Sequence, residues 1–235
     1  MARIRSLKAR RWILASTRRS LDLERDATEL YAAARAAGPD YEKLVRTGAG
    51  RTLRGLTLWE DATKTLFTTN CSWSLTVKMA QAACSAKFVP ASPSGQFPFP
   101  QPKAFSRHTA DELRQALPVG YRAGYLRSLA IRFETDRGLA LLDNGGVPFD
   151  KAYRLARSLH GFGDYAASHL LIMAGMFDNI PVDTVVTGFL KRTHGARKVE
   201  SFAERKYHHW GRNRWWGLKL DQMRRRLNWI GDKTL

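Results

Sequence analysis

Cysteine is nearly absent from this chain, with only Cys71 and Cys84 among 235 residues. The two form no CxxC pair and supply too few thiolates for a four-ligand metal site. The histidines have no metal-like partner spacing, so no metal is expected, and no other cofactor is expected. No apolar run approaches the ~20 residues of a membrane-spanning helix, which points to a soluble protein. Alternating strand patterns are also missing, outside a short stretch from Arg51 to Leu56. Acid is scarce as well: 21 Asp and Glu stand against 39 Lys and Arg, a net charge of +18 with a pI near 10.5. That imbalance implies a polyanionic partner, nucleic acid first and an acidic membrane surface second.

What remains is a helical chain long enough to bury a sizeable core, as one large domain or two small ones. The first nineteen residues carry Arg3, Arg5, Lys8, Arg10, Arg11, Arg18 and Arg19 and no acid. A DNA-tracking arm, an organelle transit peptide and a solvated basic tail all fit this composition. The arm is favoured because positive charge recurs at the other end. Leu21 to Ala37 reads as a helix stopped by Gly38, and Asp40 to Arg46 as a short one. Thr57-Leu58-Trp59-Glu60 is a capping box that starts a helix at Leu58. This helix breaks near Asn70, and Ser72 or Ser74 restarts the next, to about Ala86. Val89 to Lys103, with five prolines, is a surface loop. Thr109-Ala110-Asp111-Glu112 forms a second capping box, and Gly120 to Tyr125 opens a helix to about Arg132.

The most informative stretch runs from Ser158 to Arg192. An apolar helical face (Ala152, Leu155, Ala156) ends at Leu159. Gly161 and Gly163 then make a turn expected to be too tight for side chains. Asp164 is expected to cap a helix to about Gly175. Such a turn presents backbone N–H groups beside a helix N-terminus, a cradle for a phosphate. Pro181-Val182 leads to Asp183, at the start of a helix from Thr184 to Thr193. There the helix dipole favours negative charge. A plain N-cap is the commoner job for such an aspartate.

Leu159-His160-Gly161-Phe162-Gly163, followed by Pro-Val-Asp twenty residues on, resembles the signature of the helix–hairpin–helix DNA glycosylases. His160 replaces the usual proline. The 8-oxoguanine and 3-methyladenine enzymes are the members most similar, and the cysteine count excludes the iron–sulfur cluster of others. The resemblance implies a mainly α fold, two helical lobes with the active-site cleft between them. It implies that Asp183 is the catalytic carboxylate, that Gly161, Phe162 and Gly163 meet the DNA backbone, and that Asn70 enters the gap left by a flipped base. Tyr121 and Arg122, in a Gly-Tyr-Arg-Ala-x-Tyr segment, would contact the orphaned opposite base. Strand-cutting relatives carry a lysine where this chain has Tyr165, so a monofunctional enzyme is expected.

Basic and aromatic residues interleave in the tail from Ser201 to Trp229, a pattern suited to a groove for nucleic acid. Arg212 and Arg214 are candidate DNA contacts, and Trp73, Trp215 and Trp216 candidate walls of a base pocket. Trp215 and Trp216 are adjacent and cannot share one helix face, so at least one is free to line a pocket. Trp229 is expected to be buried. The expected organisation is a basic arm plus helix over residues 1–52 and a glycosylase domain over 53–235, with its hairpin at 159–163 and catalytic region at 180–184. The expected partner is double-stranded DNA, and the expected form an intracellular monomer in the bacterial nucleoid or a nucleus. Glycosylases of bulky bases in invading viral DNA, non-catalytic hairpin modules and RNA-binding proteins are the alternatives.

Overall fold

The computed structural model describes residues 6–231, without the side chains of 144, 145 and 227–231. Trp229 therefore lies outside the described side chains. Thirteen α-helices follow one another, and there is no strand among the described residues. They are α1 (Leu7–Ser20), α2 (Thr28–Ala37), α3 (Pro39–Arg46), α4 (Leu58–Thr68), α5 (Trp73–Ala83), α6 (Lys103–Ser106) and α7 (Ala110–Ala116). Then come α8 (Arg122–Thr135), α9 (Phe149–Arg157), α10 (Asp164–Met173), α11 (Thr184–His194), α12 (Val199–Tyr207) and α13 (Arg214–Gly231). No helix among the described residues is long and apolar enough to cross a membrane.

The chain divides into two compact units, Met1–Arg54 with Gly175–Leu235, and Gly55–Ala174. The N-terminal segment thus shares a unit with the C-terminal part of the chain. Its basic stretch is helical: Ser6 caps α1 by accepting from the Ala9 amide at 3.3 Å. The helix expected from Leu21 begins only at Thr28, because Asp22 takes a left-handed conformation (φ +53°) that ends α1. Asp22 is buried, where it pairs with Arg25 at 2.9 Å and with Arg54 at 3.4 Å and accepts from the Thr52 amide. A buried carboxylate needs such partners, and here they fix the 50–54 segment to the end of α1. That segment is extended but has no partner strand. Its Arg54 amide donates to the Ser20 carbonyl instead.

In the Gly55–Ala174 unit, α4 is the central helix, with Leu58, Trp59, Ala62, Leu66 and Phe67 all buried. Only half of its expected capping box forms. The Glu60 amide donates to Thr57 Oγ1 at 3.2 Å, but the Glu60 carboxylate accepts from Leu56 rather than from Thr57. The second box, Thr109 with Glu112, is complete. Buried alanines on α9 (Ala152, Ala156) and α10 (Ala166, Ala167) let these two helices approach closely across the hairpin.

Candidate nucleic-acid interface and active site

The two glycines of the hairpin do different jobs. Gly161 has φ +86°, and a Cβ there would lie 2.7 Å from the Tyr125 ring and 2.9 Å from Leu66. Only glycine fits. Gly163 has φ −77°, and nothing lies within 4 Å of where its Cβ would be. The expectation that the turn's geometry demands both glycines is therefore corrected for Gly163, whose missing side chain leaves open space. Phe162 is buried and anchors the turn, while the Arg157 guanidinium donates to its carbonyl at 2.6 Å. Gly163 is the residue before the first turn of α10, so the expected capping role of Asp164 moves by one position. The Asp164 carboxylate instead accepts from Tyr153 Oη at 2.8 Å and pairs with Arg157 at 2.9 Å. Tyr165 is half-buried, stacked on His169 one turn later with 16° between the ring planes.

The pause between α4 and α5 is built as expected. Asn70 is exposed at φ +45°, and Ser72 caps α5 through the Leu75 amide. Phe67, near the end of α4, offers its carbonyl to both Cys71 Sγ and Thr76 Oγ1. Arg122 points inward rather than to solvent. It is 4% exposed, and its guanidinium donates to the Thr69 and Asn70 carbonyls and to Thr69 Oγ1. Its planar fork is thus committed to the pause that displays Asn70. The same guanidinium lies 4.5 Å from the Tyr121 ring, which is 54% exposed and propped edge-on by Tyr125. Trp73, the first residue of α5, is 75% exposed.

The other expected residues belong to the Met1–Arg54 and Gly175–Leu235 unit. Asp183 caps α11: its Oδ1 accepts from the Val186 amide at 2.6 Å. The cap engages one carboxylate oxygen, which leaves the other available for chemistry. Arg212 is exposed, 3.7 Å from Asp178, whereas Arg214 pairs with Glu204 at 2.5 Å. The adjacent tryptophans divide as their spacing requires. Trp216 is buried, while Trp215 is half-exposed and stacks on Phe177 with 22° between planes. The pocket expectation therefore falls to Trp215 and is corrected for Trp216, which packs edge-on against Trp215 and tilted to Phe177.

Two residues at this end take parts that the sequence did not single out. Lys219 stands one helical turn after Trp215, with its ammonium 5.4 Å from the indole centroid and 3.3 Å from Gln222 Oε1. Burial holds its pKa below the usual lysine range, and the Asp183 charge pulls it partly back, so the two groups interact. The i, i+4 spacing of Trp215 and Lys219 was available as a signal. The second, Asp221, is a buried carboxylate that accepts from Tyr207 Oη and pairs with His194 Nε2, each at 2.9 Å. His194 closes the helix that Asp183 opens, so this contact ties α11 to α13.

The sequence matches no protein-family model and no curated protein. Solved structures do match. An 8-oxoguanine glycosylase/lyase from Clostridium acetobutylicum, in complex with double-stranded DNA containing cytosine opposite 8-oxoguanine, is 18% identical. Its TM-score is 0.68, and the alignment covers 90% of this chain and 74% of that one. A 3-methyladenine DNA glycosylase from Archaeoglobus fulgidus, also 18% identical, gives a TM-score of 0.69 over 94% of this chain and 77% of that one. At this identity the likeness is one of fold, and the fold is that of the helix–hairpin–helix DNA glycosylases.

Proposed function

Starting from that glycosylase fold, we propose that this chain is a monofunctional DNA glycosylase acting on a damaged or modified base in duplex DNA. The observation that carries this reading is Asp183, held by its N-cap bond at the head of α11 and within electrostatic reach of Lys219. As the base leaves, C1′ develops oxocarbenium character, and a fixed carboxylate stabilises that charge. The same group orients or deprotonates the attacking water. The half-exposed Trp215 edge suits contact with a base turned out of the duplex, and the exposed Asn70 and Tyr121, taken by themselves, have the polar and aromatic character that filling a vacated step needs. Arg122 acts as a positioning residue for that pair. The partner is double-stranded DNA met by a monomer, and the setting is intracellular.

Tyr165 supports hydrolysis without strand cleavage. A phenol with an ordinary pKa of about 10 is a poor nucleophile at neutral pH and cannot form an imine. A panel of modified duplexes tests the reading, with released bases identified by mass spectrometry. The expected product is an abasic strand that breaks only in alkali or heat and gives no adduct with borohydride. An adduct would overturn the monofunctional assignment. Release of no base from any duplex would overturn the enzyme and leave a DNA-binding module.

A further inference from the structure

We infer that the tail of α11 and the start of α12 form a second nucleic-acid site, a seat for a single strand apart from the duplex proposed at Asp183. From Phe189 to Val199 the chain holds no Asp or Glu, while Lys191, Arg192, Arg197 and Lys198 are all exposed. Elsewhere in the same unit acids hold the cations: Arg25 pairs with Asp22, Arg46 with Glu42, Arg214 with Glu204, and Arg224 with both Asp40 and Asp221. None of the four at the α11 tail has such a partner among the described residues. Lys191 and Arg192, in the last helical turn, do an ordinary job in offsetting the negative end of the helix dipole. Arg197 and Lys198 lie past that end, so the positive charge here exceeds what the helix needs.

The corner after α11 brings that charge together. The Gly195 amide donates to the Lys191 carbonyl at 3.0 Å and the Ala196 amide to the Leu190 carbonyl at 3.2 Å, so the chain turns back directly after the helix. Two half-buried rings belong to the same corner: Phe189 and Phe202 both pack on His194, at 5.5 and 5.8 Å between centroids. Arg192 follows Phe189 by three residues, a spacing that makes them neighbours on the helix surface. The Phe202 amide donates to the Lys198 carbonyl at 3.0 Å, which sets that ring one turn from its cation. Cations interleaved with rings suit a single strand, which offers phosphates to the first and base faces to the second, whereas a duplex keeps its base faces stacked away. Thr184 to Leu190 carries no charge, and at about 1.5 Å per residue Lys191 stands about 12 Å down the helix from Asp183. The seat is therefore separate from the proposed catalytic end.

The test fills the Asp183 end first. The full chain is saturated with a short duplex carrying an uncleavable abasic analogue, and a labelled oligothymidine or oligouridine is then titrated in, the two arms separating a DNA strand from an RNA strand. A ternary complex is expected, with the oligonucleotide bound more tightly than a second, unmodified duplex. Replacing Lys191, Arg192, Arg197 and Lys198 together by glutamine should weaken the oligonucleotide by about tenfold or more and flatten its salt dependence, while the first duplex changes by less than about threefold. Phe202→Leu keeps the charge and should weaken the oligonucleotide by about fivefold at an unchanged salt slope. Lys8→Gln with Arg11→Gln should leave the ternary complex intact, because those cations lie on α1. The inference is overturned if the duplex displaces the oligonucleotide, if a second duplex binds in preference, or if the four substitutions weaken both ligands alike or neither. Should the protein hold no duplex at all, the glycosylase reading falls, and the same variants decide the single-strand seat in the free protein.

Discussion

In the proposed reaction Asp183 serves both the fold and the chemistry. One oxygen caps α11, and the proposal assigns the other to the sugar. Asparagine is an equally good cap, so Asp183→Asn removes charge while keeping the helix start. Base release should be lost in that variant while duplex affinity changes by less than about tenfold, or ~1.4 kcal/mol. Retained turnover would assign the chemistry to another residue. The hairpin glycines allow a second separation of fold from function. Gly161→Ala forces a Cβ at φ +86° into Tyr125 and Leu66, so it should destabilise the fold by about 1–3 kcal/mol. Gly163→Ala meets open space at an ordinary φ and should leave the melting temperature within a degree or two. If a phosphate docks on the Gly163 amide, the new methyl should still weaken duplex binding by about tenfold. Equal thermal losses in the two variants would contradict this division of labour.

At the scale of elements, the pair α11 and α13 depends on Asp221. Burial pushes the Asp221 carboxyl up, but the Tyr207 hydrogen bond and the Lys206 and His194 charges outweigh it, so its pKa lies below the usual range. His194 is also lowered, by burial first and then by Lys206, against the opposing pull of Asp221. For both groups the folded pKa lies below the unfolded one, so each contributes stability at high pH that is lost as pH falls through the folded value. The His194 loss should begin near pH ~6.5 and the Asp221 loss near ~3.9, the ordinary unfolded values. Thermal unfolding between pH 8 and 4 should therefore show falling stability, and His194→Gln should remove the upper part of the decline. An unchanged decline would place the titration elsewhere. Much of this architecture was legible beforehand, because the breaks at Gly38, Asn70 and Gly161 are written in local chemistry. The gap between α1 and α2 was not. It depends on Asp22, whose partner Arg54 is 32 residues away and invisible to periodicity. Arg122 misled in the same way, since an arginine's sequence context cannot say whether its fork meets solvent or two carbonyls.

Across the whole molecule the net charge of +18 is the feature that most favours the proposed DNA partner, yet part of it is held within the protein. Arg54 and Arg122 are buried. Arg214 is held by Glu204, and Arg224 and Arg225 crowd around Asp221. Charge that is free to meet phosphates must therefore come largely from exposed positions such as Lys8 and Arg11 on α1. Each phosphate neutralised releases counterions, so log affinity should fall linearly with log salt, with a slope of about −0.9 per contact. A chain whose basic face tracks the backbone over a half-turn of duplex should reach a slope of roughly −4 or steeper. A flat response would mean that the positive balance serves something other than DNA. The same measurement decides what α1 is for. Replacing Lys8 and Arg11 by glutamine leaves a helix that Ser6 still caps, so the fold should hold. If α1 lies along the backbone, the slope should flatten by about 1 to 2 and affinity should fall for every sequence alike. If slope and affinity both stay unchanged, α1 stands off the duplex, and its basic face is a solvated surface or part of a targeting segment.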